Sequence, residues 1–574
     1  MSSSLHLPQH LDYPPIGFDS ILDFAARAYR DRTALRDGEL TLSFAELHDH
    51  ALRLAGGLRA QGVRPGDLVA LHMPNSLWFP VAYFGVLCAG ATACPVNPAQ
   101  PGDAMRHQLE HFGATAMITH ASCAGVVAAH RPPGLRLVTA VPPTEAAPDP
   151  EAGERAEVTV SWSELLSAAP LHGAPVDAGS VAHLQLTGGT TGRSKGVRVL
   201  HCNLVSNVLQ IALRRSGVVP GRDANGDIIL KPLPYAQTDH TEVPGRGTFA
   251  QVAPYFHGLG LVGQCANTLL GLTTVIVGRF DPERYLADIE RYGVTKLGGS
   301  AAFYHALLES PAITERDLSS VLSISCGGAP IDTGTLDRLR AAFPSAEVIQ
   351  VYGLSEATCT VTMQPPAALS ASPAGSAGVP VPDTEVELRD ESGIPVSRTG
   401  DVGEICVRGP QVTDSYHRDA VLTGEQFTDG WLRTGDLGRF DEKGNLFIVG
   451  RAKDMIIYKG YNVYPAHLEE VLGRHPAVAR SAVVGVPRTG VDEIPVAFVV
   501  AHPNRRSDTG LASELIRHVD DRVAPYQRVR ELHFVDDLPL SPTGKVLKSA
   551  LRNVLTGPGG SDTPTTGASV SRGS

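Results

Sequence analysis

The chain reads as an α/β protein, with a large N-terminal domain of parallel-rich sheets covered by helices and a small α+β C-terminal domain. Three observations predict this. Its 574 residues are too many for one hydrophobic core. Short Val/Ile/Leu-rich runs alternate with helical stretches through most of the N-terminal part, the pattern of strands buried on both faces. After Gly403 come closely spaced β-rich segments, then a compact run with its own alternation.

In chain order, the expected strands are "DLVALHM" (67–73), "ATACPV" (91–96), "TAMITH" (115–120), "LRLVTAV" (135–141), "TVIVG" (274–278), "VTKLGG" (294–299), "SVLSISC" (320–326) and "EVIQVYG" (347–353). The uncharged stretch "LWFPVAYFGVLCAGATACPVNP" (77–98) has the length of a membrane span. Pro80, Gly85, Gly90 and the closing Pro95 and Pro98 divide it instead into a helix, a glycine stop and a strand, so no membrane span is expected. "VPPTEAAPDPEAGERAE" (141–157) reads as an exposed loop. "EICVRG", "GRFDEKGNLFIVG" and "DMIIYKG" read as β-rich (404–460). These patterns divide the chain into a large domain at 1–451, a small one at 452–556 and a disordered tail at 557–574, which has nothing to bury.

The composition, 43% hydrophobic and 19% charged, is that of a globular protein. A net charge of −11 argues against nucleic-acid binding and against docking on anionic membranes. Eight cysteines without any Cys-x-x-Cys pair indicate neither zinc nor a disulfide framework, and the N-terminus lacks a basic and an apolar signal region. A cytoplasmic location is the expectation.

Five glycine- or charge-bearing turns carry the chemistry. "LQLTGGTTGRSKGV" (184–197) crowds backbone N–H groups, hydroxyls and a lysine behind an apolar run, a composition suited to phosphate. Its spacing matches neither a P-loop nor a dinucleotide fingerprint, and by itself it would pass for a flexible turn. "SCGGAP" (325–330) and "VYGLSEAT" (351–358) follow expected strands. "GWLRTGDLG" (430–438) with "GRAKD" (450–454) presents Asp436, Arg451 and Lys453, and "LSPTGKVLK" (540–548) presents Lys545. Loops after parallel strands are where α/β sheets bind ligands.

With these five motifs in this order, the chain resembles the adenylate-forming enzymes: acyl-CoA synthetases, adenylation domains and beetle luciferases. In motif style it is nearest to fatty-acid or aryl acyl-CoA ligases. The resemblance implies that a carboxylate attacks the α-phosphorus of ATP, and that a thiol then displaces AMP. It implies a phosphate loop of Thr187, Gly188, Gly189, Thr190, Thr191, Gly192 and Lys195, with Glu356 and Thr187 as Mg²⁺ ligands. Gly328, Ala329, Pro330, Tyr352 and Gly353 would wall the adenine, and Ser355, where the family more often has threonine, would bond phosphate. Asp436 would hold the ribose beside Arg451, Lys545 would bridge carboxylate and α-phosphate, and His257 in "PYFHGLGL" would gate the acyl pocket. Lys453 falls on the family's hinge, about which the small domain swings, and Gly460 would line a coenzyme A tunnel. An inactive nucleotide-binding relative would have lost Lys545, Glu356 or Asp436, and all three are present.

Departures bear on the substrate. No acidic residue lies within "PYFHGLGL", against an α-amino acid substrate. Small residues at Gly298, Gly299 and Ser300 either widen a pocket or let backbone approach a ligand. Residues 235–252 look inserted, with Asp239, His240, Glu242 and Arg246 as unusual polar content beside an acyl pocket. The expected substrate is a small-molecule carboxylate whose identity stays open, with ATP, Mg²⁺ and coenzyme A. The alternatives are loading of a carrier protein, and ATP-driven activation of nitrite toward an aryl amine; the oligomeric state stays open.

Overall fold

The computed structural model describes residues 7–145, 147, 158–173, 176–188, 194–224, 227–233, 242–365, 372–396, 398–488, 491–502, 505–541, 545–556 and 570–571. Among these, two helix-covered sheets build the large N-terminal domain. In one, six strands run in the order Leu137–Val141, Ala116–His120, Leu68–His72, Thr92–Val96, Val181–Gly188 and Ser194–Leu200. All neighbours are parallel except the last pair, a hairpin. The other sheet has nine strands, with a parallel interior of Glu347–Tyr352, Ser323–Cys326, Lys296–Gly299, Thr248–Gln251, Thr273–Ile276 and Thr33–Asp37. All eight strands expected in the N-terminal part are present.

The stretch 77–98 divides as its prolines and glycines require: helix Trp78–Cys88, then strand Thr92–Val96. Ten of that helix's eleven residues are buried, so its all-round apolarity serves the core. Among the described residues no helix is long and apolar enough to cross a membrane.

An antiparallel sheet of Glu385–Arg389, Gly403–Arg408, Trp431–Phe440, Phe427–Thr428 and Leu446–Arg451 follows. The small C-terminal domain has its own core, two apolar clusters drawn from residues between Ile456 and Leu551. They flank a sheet of Val478–Pro487, Glu493–Ala501 and Glu531–Phe534.

Two expectations need correction. Residues 235–252 are not wholly an insertion, because Thr248–Gln251 is an interior strand of the nine-stranded sheet. "TFAQ" escaped notice because it is short and carries no run of β-branched residues. The tail contributes structure too: Val570–Ser571 pairs with Leu532 and Glu531, adding a strand that its Gly/Ser/Thr surroundings did not advertise. Asp239 and His240 lie outside the described residues.

Candidate active site

The hairpin of Val181–Gly188 and Ser194–Leu200 sets Thr187 opposite Lys195 and Gly188 opposite Ser194. Gly189, Thr190, Thr191 and Gly192 lie outside the described residues. The Lys195 ammonium lies 5.5 Å from the centroid of the Tyr416 ring, a cation–π contact.

The strand Glu347–Tyr352 delivers the next groups. After Gly353 the chain enters a single 3₁₀ turn, Ser355–Ala357, and folds back so closely that a Cβ on Gly353 would lie 1.5 Å from the Cys359 carbonyl oxygen. No side chain fits there. The fold-back is finished by buried Thr358 at φ 62° and ψ −59°, a γ-turn in which Cys359 N–H donates to the Ala357 carbonyl at 2.6 Å, a strained conformation costing about 1–3 kcal/mol. Its hydroxyl donates to the Gln411 carbonyl at 2.7 Å. Glu356, on this turn, accepts from the Tyr416 hydroxyl at 2.7 Å through Oε1. Its main-chain carbonyl accepts from Thr413 N–H at 2.9 Å.

Beside this turn, Gly328 adopts φ 78°, the freedom required where strand Ser323–Cys326 gives way to Ala329 and exposed Pro330. Asp436 faces Arg451 across an antiparallel pair. Its Oδ1 accepts from Arg451 Nε at 3.0 Å and its Oδ2 from the Tyr352 hydroxyl at 2.9 Å. Burial and the nearby Asp436 charge hold the Tyr352 hydroxyl protonated, far above the ordinary tyrosine range. Tyr352, Asp436 and Arg451 thus form one continuous surface.

His257 caps the helix Gly258–Leu270, its Nδ1 accepting from Leu259 N–H at 3.3 Å. Burial, helped by the Lys545 charge, pushes its imidazole down to about 4, so the ring is neutral at physiological pH. The Gln185 side-chain amide donates to the Phe256 carbonyl at 2.8 Å, tying this turn to strand Val181–Gly188.

Lys545 comes from the small domain. Burial and then Arg451 push its ammonium below the usual lysine range, while Asp436 and Glu356 pull the other way. Lys453, on the turn Ala452–Asp454, is likewise lowered by burial and by Arg451. One lysine of the small domain therefore shares an electrostatic neighbourhood with His257, Glu356, Asp436 and Arg451 of the large one.

Other expected residues stand elsewhere. Gly460 follows Lys459 in a two-residue hairpin turn, φ 78° and 51°, and among the described residues beyond its chain neighbours no atom lies within 4 Å of where its Cβ would be. Gly298 and Gly299 do not widen a pocket, because a Cβ would meet Phe249 at 3.2 Å and Phe303 at 2.3 Å. Glu242 lies away from the Gly328 and Glu356 turns. Its carboxylate meets Lys296 at 2.8 Å and Arg215 at 2.6 Å, and Lys296 opens its strand, at the edge opposite the Gly328 and Glu356 turns. Arg246 is exposed on the same loop. Tyr416 and Gln185 were missed, since their contacts span 60 and 71 residues and no local motif marks them.

The donor set at Glu356 fits Mg²⁺. Among the described residues Oε2 has no hydrogen-bond partner, and a carboxylate with hydroxyl and phosphate oxygens is the hard-oxygen environment this ion takes. No group of three or more His, Cys, Asp or Glu able to hold a metal exists among the described residues, so most ligands would come from nucleotide and water.

Comparison with known proteins agrees over nearly the whole chain. A family model described as AMP-binding enzyme matches residues 22–417, and one for the AMP-binding enzyme C-terminal domain matches 467–545. The chain is 33% identical to 4-coumarate–CoA ligase-like 9 of Oryza sativa subsp. japonica, covering 94% of each chain. It is also 33% identical to a feruloyl-CoA synthase of an Amycolatopsis species, covering 92% of this chain and 96% of that one. A solved benzoate CoA ligase from Burkholderia xenovorans LB400 superposes with a TM-score of 0.79 at 26% identity, covering 93% of this chain and 99% of that one. With both domains matched in order, the chain belongs to the AMP-binding enzyme family of adenylate-forming ligases.

Proposed function

We propose that this AMP-forming ligase activates an aryl carboxylate of the benzoate or cinnamate type with ATP and transfers the acyl group to coenzyme A. The observation that carries the reading is that Asp436 is held between Arg451 Nε and the Tyr352 hydroxyl on the strand that also delivers the Glu356 turn, with the Lys545 charge felt at Asp436, Glu356 and His257. The names of the relatives, ligases of coumarate, ferulate and benzoate, support the aryl class.

The chemistry follows from charge. A carboxylate oxygen bonds to the α-phosphorus of ATP and the bond to pyrophosphate breaks. The thiol sulfur then bonds to the acyl carbonyl carbon and the bond to AMP breaks. In the first step two anions must meet, so Lys545 lies between carboxylate and α-phosphate and offsets their repulsion. Thr187 and Lys195 hold the outer phosphates, and Asp436, with both oxygens already oriented, accepts from the ribose hydroxyls. Tyr352, Gly353 and the Gly328–Pro330 turn enclose the base, and Ser355 bonds a phosphate oxygen. Glu356, with Thr187, would hold Mg²⁺, which when bound neutralises phosphate charge. Neutral His257 borders the acyl site without adding charge to it. Because Lys545 occupies the face from which the thiol must come, the second step requires the domain from about residue 452 to swing away, with Lys453 at the hinge and Gly460 beside the incoming pantetheine.

The test is pyrophosphate and AMP release by the purified protein, with benzoates, cinnamates and aliphatic acids, each with and without coenzyme A. Turnover on aryl acids that rises with coenzyme A is expected. Turnover on aliphatic acids alone would overturn the substrate class, and acyl transfer only to a carrier protein would overturn the acceptor. Turnover only with nitrite plus an aryl amine would overturn carboxylate activation itself.

A further inference from the structure

We infer that Tyr416 is a positioning residue that orients the Glu356 carboxylate and the Lys195 ammonium toward the triphosphate. This rests on reading Glu356 as the carboxylate that meets Mg²⁺. Tyr416 sits on a strap, residues 410–418, stitched to both elements it would align. On one side His417 N–H donates to the Gly196 carbonyl at 2.7 Å, Arg198 N–H donates to the Ser415 carbonyl at 3.2 Å, and Tyr416 bridges to Val197. On the other, Thr413 N–H donates to the Glu356 carbonyl at 2.9 Å, and the Gln411 carbonyl accepts from Thr358. Asn203 anchors the strap from below through the Pro410 and Val412 carbonyls.

The side chain spans the gap that the strap creates. Its ring is 4% exposed and packs edge-on against Phe427, with centroids 5.9 Å apart. One face meets Lys195, and the hydroxyl donates to Glu356 Oε1 at 2.7 Å. An ionised carboxylate only accepts, so in this contact the hydroxyl is the donor. A carboxylate fixed through one oxygen presents the other in one direction, and that other oxygen, Oε2, is the one without a partner among the described residues. A purely packing role would need the ring but not the hydroxyl.

Tyr416→Phe separates the two, because it keeps the ring, its packing and the cation–π contact. The readouts are Mn²⁺ affinity of the enzyme–ATP complex by electron paramagnetic resonance, and ATP affinity in EDTA by calorimetry. Tyr416→Phe should weaken Mn²⁺ binding roughly tenfold, the scale of a hydrogen bond to a charged group. ATP affinity in EDTA should stay within about twofold. Tyr416→Leu should in addition weaken ATP binding in EDTA by roughly two- to fivefold as the Lys195 platform is lost. Glu356→Gln should abolish tight Mn²⁺ binding, and adding Tyr416→Phe to it should change nothing further.

Normal Mn²⁺ affinity in Tyr416→Phe, with a loss in Glu356→Gln, would overturn the role of Tyr416 alone. A further independent loss in the double variant would overturn it as well. Unchanged Mn²⁺ affinity in Glu356→Gln would overturn the assignment of Glu356 and this inference with it.

Discussion

Replacing Glu242 by glutamine should destabilise the large domain by about 3–5 kcal/mol, the cost of removing one partner from a buried ion pair. The group is a buried triad. Arg215 approaches one oxygen at 2.6 Å and Lys296 the other at 2.8 Å, and the three side chains are 5%, 4% and 8% exposed for Arg215, Lys296 and Glu242. Burial alone would raise the Glu242 carboxyl, but the two cations more than offset it and hold it below the ordinary carboxylate range. A unit pair about 4 Å apart at an effective dielectric of 20 interacts by about 4 kcal/mol, so each contact is large on the scale of folding stability. Glutamine keeps the shape and removes only the charge, leaving two cations facing each other without relief. Urea unfolding followed by tryptophan fluorescence reads this directly, because Trp78 and Trp162 pack in the core of the large domain. Adding Lys296→Met should recover part of the loss. With a depressed folded value, Glu242 contributes fully above the ordinary carboxylate pKa of about 4.3 and loses its contribution as pH falls through the folded value. The deficit should therefore be constant from pH 6 to 8. Lys296 and Gly299 are three residues apart on one strand, roughly 10 Å, so saturated turnover should be unchanged in the absence of urea. A loss below about 1 kcal/mol would refute the burial of the triad, and a large fall in turnover would return this loop to the active site.

Lys545→Ala should slow adenylate formation by roughly 10²–10³-fold, the scale of one charge-stabilising group, yet spare thiol transfer from supplied acyl-adenylate. Equal loss of both steps in a stopped-flow assay would sink that assignment. Asp436→Asn should raise the KM for ATP more than it lowers kcat, since it weakens the accepting contact with the ribose; an unchanged KM would remove Asp436 from the nucleotide site. Gly353→Ala should yield little folded protein by circular dichroism, because the added Cβ overlaps a backbone oxygen; normal folding would contradict the turn. His72, His183 and His201 are buried and held neutral, at about 4, 3 and 4. Unfolded histidine protonates near 6.5, so stability should fall as pH drops from about 6.5 toward 4, by at most about 3 kcal/mol per residue. Acid titration by calorimetry showing no change above pH 4 would contradict their burial.

The chain order of strands, the division of 77–98 into helix and strand, and the nucleotide-type turns were legible because each depends on local periodicity or on glycine and proline, whose effects act within a few residues. The family resemblance added roles for Lys545, Glu356 and Asp436 for the same reason: their motifs are short and ordered along the chain. Tertiary structure alone decided what depends on distance. Tyr416 became a candidate only when residues 60 apart met, and Glu242 separated from the candidate site only when its partner Lys296 took its place at the start of an interior strand. "TFAQ" became an interior strand only when its neighbours on both sides were in place, since pairing and burial, not propensity, hold so short a segment. Gly298 and Gly299 make the same point in reverse. The sequence could announce missing side chains, but only the packed structure shows that Phe249 and Phe303 fill the space they leave.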